Sequence, residues 1–274
     1  MKLKLLLVTF IIASVGFAQK KEKIKGNKLV KVKQHELAAF NSLSINEDIE
    51  VFILKGTTPM IEIEADENLH DIILFDVVDE NLSIKTSHNI TSKKKLSIRV
   101  TFTDVFNKIE LQNKAVLNSL IDVELPSLKI YTRDASKLFF TAKVEDFKLF
   151  AQKKSKIELN LSGENCNIEM SESSDIKALI NVSTLKFDLY QKANARIEGE
   201  TGNLQLRADN ATNFRGDKLT AQDCTMIAEG SSDCHIEVKD NLSLEASGSS
   251  EVYIYNTPKI DLRKFADSAR LYKK

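Results

Sequence analysis

Asp175, Asn194, Asn213, Asp233 and Glu251 follow one another at intervals of 18 to 20 residues. If each interval is one turn of a coiled β chain, the five side chains stack in a single column. Asp233 and Glu251 then become neighbours, with His235 two residues beyond the first. Two carboxylates on one face are what general acid–base attack on a glycosidic bond requires. The same oxygens could instead hold sugar hydroxyls or a cation. Asn and Asp are also turn formers, whose stacked side chains bond to each other and to the backbone, and this structural ladder is the leading expectation. Glycan or cation binding comes second. Catalysis comes third, because the intervals leave no room for the long inserted loops that usually build a cleft. His35, His70 and His88 show no pairing pattern and read as surface residues.

The elements that would hold this column are written in a repeat. Over residues 109–272 a first apolar column reads Ile109, Leu128, Phe147, Cys166, Leu185, Leu204, Cys224, Leu242 and Ile260. Two residues on, a second reads Leu111, Ile130, Leu149, Ile168, Phe187, Leu206, Met226, Leu244 and Leu262. The residue between the two is polar in every unit, which is strand alternation. Four residues in, the column is mostly small, and eight residues in it is hydroxyl or alanine from Ser136 to Ser268. A further apolar pair follows, as in Leu138 and Phe140, or Val252 and Ile254. Each unit therefore packs inward on two sides of a small corner.

A repeat of about 19 residues cannot close a core alone and must stack on its neighbours. The expected fold is all-β: a parallel β-solenoid, or β-helix, wound right-handed as such connections are. With coils about 4.8 Å apart, eight steps make a rod of about 38 Å. An antiparallel sandwich is the competitor, and the constancy of the register argues against it. Pro126 and Pro258 each lie two residues before a first-column residue, at the corner that feeds a strand. Pro59 lies two before Ile61, which implies coils of the same kind upstream. Residues 38–108 are otherwise irregular β, with residues 67–74 the only short helical candidate. The last unit reads as a charged cap, placing Lys264 and Arg270 at inward positions and ending in Tyr272, Lys273 and Lys274.

The 274 residues balance 39 basic against 39 acidic groups, without the basic surplus that nucleic-acid binding needs. Residues 1–18 read as a secretory signal: Lys2 and Lys4, an uncharged apolar stretch, then Gly16 and Ala18 before the cleavage point. That stretch is short for a membrane span, and no transmembrane segment is expected in the mature chain. Residues 19–37 read as a basic linker, solvated or touching anionic lipid or surface polysaccharide. The division expected is thus 1–18, 19–37, 38–108 and 109–274. Cys166 and Cys224 are three coils apart, too far to bond. Cys224 and Cys234 lie on the two strands of one coil, and buried free thiols are the simplest reading for all three.

The units of the form seen in residues 242–254, Leu-Ser-Leu-Glu-Ala-Ser-Gly-Ser-Ser-Glu-Val-Tyr-Ile, with weaker copies at 128–140, 147–159 and 166–178, resemble the head GIN domain family of Bacteroidetes-type bacteria, which is described as an auto-transporter adhesin. Residues 40–53 and 61–69 resemble its opening segment, so the likeness spans 38–272. The resemblance implies a parallel β-solenoid with a surface or periplasmic role and carries no catalytic residues. The expected function is an exported, non-enzymatic, adhesin-like or structural role at the cell envelope. The alternative is a carbohydrate-binding or carbohydrate-active solenoid using the ladder from Asp175 to Glu251. Neither reading requires a cofactor or metal. The expected location is periplasmic, outer-membrane-associated or cell-surface, with a protein or glycan as partner.

Overall fold

A computed structural model describes residues 21–274; the leader expected over 1–18 lies outside the described residues. The N-terminal part comprises β1 (Lys23–Lys25), β2 (Val30–Glu36), β3 (Ser42–Ile45), β4 (Glu50–Lys55) and β5 (Met60–Asp66). A 3-10 turn over Glu67–Ile72 matches the short helix expected there. Next come β6 (Ile73–Val78), β7 (Asn81–Thr86), β8 (Asn89–Ser92) and β9 (Leu96–Phe102). The regular part runs through β10 (Lys108–Leu111), β11 (Val116–Ser119), β12 (Val123–Thr132), β13 (Lys137–Ala151), β14 (Lys156–Met170) and β15 (Asp175–Leu189). It continues with β16 (Asn194–Ala208), β17 (Asn213–Ala228), β18 (Asp233–Ala246), β19 (Glu251–Tyr255), β20 (Lys259–Phe265) and β21 (Arg270–Lys273).

Alternation makes the coil. In β14, Ile157, Leu159 and Leu161 are buried, the chain bends over residues 162–165, and Cys166, Ile168 and Met170 are buried on the opposite wall. Each coil is thus flattened, with three inward residues per side. Its neighbours repeat the arrangement in parallel, and the apolar columns expected from the sequence are the observed ones from Leu128 onward: Leu128 pairs with Phe147, Phe147 with Cys166, and so on to Leu242 with Ile260. Removing one of these buried side chains to Ala costs about 2–5 kcal/mol. The β17 coil carries an extra residue. Gly216 stands there between Arg215 and Asp217, and the Phe214 ring fills the space its side chain would occupy, within 2.5 Å of a Cβ built on that glycine.

The corner between coils is also a column. Asn113, Asp134, Lys153, Glu172, Gln191, Asn210, Gly230, Gly248 and Asp267 all adopt left-handed backbone, with φ between 57° and 73°. From Asp134 onward the N–H of the residue after each one donates to the left-handed residue of the coil before, as in Ser173 to Lys153 O at 2.8 Å and Ser249 to Gly230 O at 2.7 Å. The next position inward is the small corner: Ser136, Ser155, Ser174, Ala193, Thr212, Ser232 and Ser250 are all buried. Since Ala193 serves as well as serine, the corner selects size, and the Ser174 hydroxyl simply donates to Ser171 O at 2.9 Å.

The structure departs from the sequence reading at both ends. Ile109 pairs with Ile130, not Leu128, so the first unit is offset by two residues. A two-residue shift keeps every side chain on its face, so alternation could not reveal it. In the last coil a bulge beside Leu244 places Phe265 over Ala246 and Arg270 over Glu251. Lys264 and Arg270 are therefore not at inward positions; Ala269, not Ser268, follows the corner column. Ile260, Leu262 and Phe265 are 41%, 50% and 46% exposed over the core beneath.

Upstream, β3 and β4 form a coil between β10–β11 on one side and β7 with β9 on the other. Pro59 does not feed such a coil: it precedes β5, which is antiparallel to β2 and β9. The basic run expected as a solvated linker is exposed but forms strand β2, whose Lys31 and Lys33 pair in register with Ala65 and Ile63 of β5. Charges at such an edge oppose further pairing. His70 is not a surface residue; it is buried, with Nε2 3.1 Å from Lys31 O. Cys166, Cys224 and Cys234 are free and buried, and burial pushes their thiols up, Cys234 to about 12.

Asp66 ties this end together. Fully buried, it accepts backbone N–H bonds from Lys28 (3.1 Å), Lys94 (3.1 Å) and Lys95 (3.0 Å). Burial alone raises its pKa, but these three donors and the Lys94 charge hold it below the ordinary carboxylate range.

Two stability measurements follow from these contacts. L-residues pay for left-handed backbone and Gly does not, so Lys153→Gly, Glu172→Gly and Gln191→Gly should each stabilise by about 0.5–1 kcal/mol in urea melts. Asp66 is depressed relative to an unfolded value of about 3.9, so its contribution is complete above that pH and lost as pH falls through the folded value. Acid titration of stability should therefore lose part of its steepness in Asp66→Asn, which should also be less stable at pH 7.

Candidate functional site

The five ladder residues do stack. Asp175 pairs with Asn194, Asn194 with Asn213, Asn213 with Asp233, and Asp233 with Glu251. Lys156 and Lys137 precede them and Arg270 follows. Their side chains, however, bond mostly to residues beside the column. Arg215 Nε donates to Asn213 Oδ1 and its Nη2 to Asp233 Oδ2, both at 3.1 Å. Glu251 accepts from Tyr253 OH at 2.8 Å and Arg270 Nη1 at 3.1 Å. Asn194 Nδ2 donates to the Lys192 carbonyl at 3.1 Å. The Asp233 and Glu251 carboxylates are thus each engaged by a cation, rather than set against one another.

The concave part of this wall lies two to four residues further along each strand, where none of the five ladder residues reaches. One open depression of about 680 Å³ runs over β13 to β16 and is lined by Phe139, Lys177, Leu179, Arg196 and Glu198 among others. A second, of about 350 Å³, shares Arg196 and Glu198 and continues to Arg215, His235 and Tyr255. Alternation puts both on the same outward face as the ladder. The sequence reading stopped at the acidic and amide column and passed over the next one, although Phe139, Glu158, Lys177, Arg196, Arg215, His235 and Tyr253 follow the same spacing.

Around His235 the contacts fix a tautomer. Arg215 Nη1 contacts His235 Nε2, and a guanidinium only donates, so Nε2 accepts. The proton sits on Nδ1, 3.1 Å from Tyr255 OH. Hence Nε2 cannot donate to Asp233 Oδ1 3.2 Å away, which explains why that buried oxygen has no hydrogen-bond partner. Burial and the Arg215 charge lower the His235 pKa, outweighing Asp233. The ring stacks on Tyr253 at 4.3 Å, and Tyr253 on Tyr272 at 4.7 Å. The hydrogen bond to Glu251, then burial, pushes Tyr253 up to about 12, so it stays a neutral phenol at physiological pH. What the face offers is a platform of rings and cations on which Asp233, Glu251 and Glu198 are already paired.

The opposite wall has its own cations, Lys129 stacked on Lys148, beside the stacked rings of Tyr131 and Phe150. Among the described residues, no group of three or more His, Cys, Asp or Glu side chains converges as a metal site would, and no helix is long and apolar enough to cross a membrane.

Comparison with known proteins places these features in a family context. Residues 39–258 match the family described as "Putative auto-transporter adhesin, head GIN domain". Among solved structures, a "putative adhesin" from Parabacteroides merdae ATCC 43184 aligns over 92% of this chain and 99% of its own, with TM-score 0.60 and 18% identity. A "putative adhesin" from Parabacteroides distasonis ATCC 8503 covers 92% and 100%, with TM-score 0.60 and 14% identity. A "putative lipid binding protein" from the same strain covers 92% and 97%, with TM-score 0.55 and 12% identity. At these identities the likeness is one of fold. No curated protein matches.

The His235 assignment has a spectroscopic consequence. With a folded pKa below the unfolded value of about 6.5, its contribution to stability is complete above that pH and lost as pH falls through the folded value. An NMR titration should place the His235 midpoint below 6.5, and Arg215→Gln should raise it; an unshifted midpoint, or no response to the substitution, contradicts the tautomer and charge environment described.

Proposed function

This chain belongs to the head GIN domain family, and on that premise we propose that it is an exported, non-enzymatic rod that binds a partner at the cell envelope in the manner of an adhesin. The observation that carries this reading is the state of the outward wall. It is a parallel sheet, irregular only where β17 carries its extra residue, whose depressions are open and whose Asp233 and Glu251 are taken up by Arg215, Tyr253 and Arg270. A wall of this kind offers extended contact area and few free acid–base groups. The ladder of Asp175, Asn194, Asn213, Asp233 and Glu251 is then chiefly structural, contributing contacts at the margin of the binding face. Export rests on residues 1–18. In the mature chain β1 and β2 belong to the folded head, so the division is a leader followed by the irregular end and the regular coils.

Carbohydrate binding is the second reading, and the neighbouring column favours it over the ladder itself. Cells producing a C-terminally tagged chain test the first. After export the leader should be missing from the purified protein, and the tag should fractionate with the envelope. Protease added to intact cells separates surface display, with loss of the tag, from a periplasmic position, with loss only after the outer membrane is opened. A cytoplasmic chain that keeps residues 1–18 would overturn the reading.

A further inference from the structure

Four cations on the outward wall of β13 to β16 stand out because the fold leaves them in each other's company. Lys137 is the register partner of Lys156, and Lys177 that of Arg196. Like charges placed directly opposite across a strand pair are destabilising. Glu158 and Asp175 lie on the same wall, yet among the described residues none of these six side chains makes a salt bridge or a side-chain hydrogen bond. Further along the same wall the cations are paired, Arg215 with Asp233 at 3.1 Å and Lys218 with Glu198 at 3.4 Å; on the opposite wall Lys129 and Lys148 are register partners that likewise make no salt bridge among the described residues. The unpaired cations border apolar surface: Phe139 is 36% exposed and Leu179 44%, both lining the larger depression with Lys177 and Arg196. Further along, the groove ends on the Tyr255 ring beside the Tyr253–Tyr272 stack.

From this arrangement we infer that the groove from Phe139 through Lys177 and Arg196 to Tyr255 binds an acidic polysaccharide, with carboxylates on the two cations and sugar rings on the apolar and aromatic surface. The inference rests on the adhesin-like reading and names the class of partner. Three properties favour a glycan over an acidic peptide. The backbone of this wall is used up in coil-to-coil pairing, so a peptide could not add as a strand, which needs a free edge. Along the column Phe139, Glu158, Lys177, Arg196, Arg215, His235 and Tyr253, a block of three cations lies between rings at either end, one residue per coil at about 4.8 Å, close to the repeat of a linear chain of linked sugar rings. The groove is open and shallow, suited to a chain lying along it rather than to a small molecule enclosed by it. Exposed charge pairs are screened over about 8 Å at physiological salt, so binding should be modest and should weaken as salt rises.

Binding of the full chain to polygalacturonate, dextran and poly-glutamate, measured by biolayer interferometry, tests this. The expected result is salt-sensitive binding to polygalacturonate, weaker binding to poly-glutamate and none to dextran. K177Q/R196Q should weaken polygalacturonate binding at least tenfold. Phe139→Ser, which leaves the charge unchanged, should also weaken it. K129Q/K148Q, the same charge change on the opposite wall, should bind like the unaltered chain. The variants are at exposed positions, and circular dichroism and melting are to be run on each as the check of folding. The proposal is overturned if polygalacturonate does not bind, if the two double variants lose binding equally, or if Phe139→Ser has no effect. It is overturned too if poly-glutamate binds as well as polygalacturonate, which would point to an acidic protein and leave the adhesin-like reading standing. That reading fails separately, in the fractionation experiment.

Discussion

Every coil of this protein has to lay its inward side chains on those of the coil beneath, in register and on both walls at once. No coil has a core of its own: Ile157, Leu159 and Leu161 face Cys166, Ile168 and Met170 across a flattened interior one strand pair thick. Much else follows from that requirement. The coil length is held near 19 residues because a longer or shorter turn would slide one wall against the other. Where the length does change, at β17, Gly216 and the Phe214 ring absorb the difference. The corner must return the chain at the same height each time, which is why nine coils put a residue in left-handed backbone at the same place, including Lys153, Glu172 and Gln191, whose types do not favour it.

This dependence explains what could be read in advance. The columns from Leu128 to Ile260 were legible because burial on both walls leaves its mark at every second residue. The offset at Ile109 was not, since a slip of two preserves the pattern; nor was the bulge near Leu244, which moved Arg270 onto the polar column and Phe265 onto the inward one. The interleaving of the β3–β4 coil between strands far apart in sequence has no local signature at all. His70 looked like a stray surface group because its partner, the carbonyl of Lys31, belongs to a strand that the basic run had disguised as a linker.

The candidate site was half legible for a related reason. The column of Asp175, Asn194, Asn213, Asp233 and Glu251 was found because its chemistry is uniform. The column two residues on was passed over because its chemistry changes from coil to coil, from Phe139 through Lys177 and Arg196 to His235 and Tyr253. On a stacked wall that change is informative. Uniform columns are explained by stacking alone, whereas a column that keeps like charges opposite each other and rings exposed carries something that stacking does not require. On this wall Asn194, Asn213, Asp233 and Glu251 bond within the fold, as do Arg215 and Tyr253 of the next column, whereas Lys177 and Arg196 are left without a partner among the described residues.

Native-state hydrogen exchange tests most directly whether coil-on-coil stacking holds the molecule together. Amides of β14 to β17, covered on both sides, should be the most protected, and protection should fall coil by coil through β18 and β19 to β20 and β21, where Ile260, Leu262 and Phe265 are exposed. Equal protection of β20 and the central coils, or exchange of the whole chain in one step without that gradient, would contradict the account.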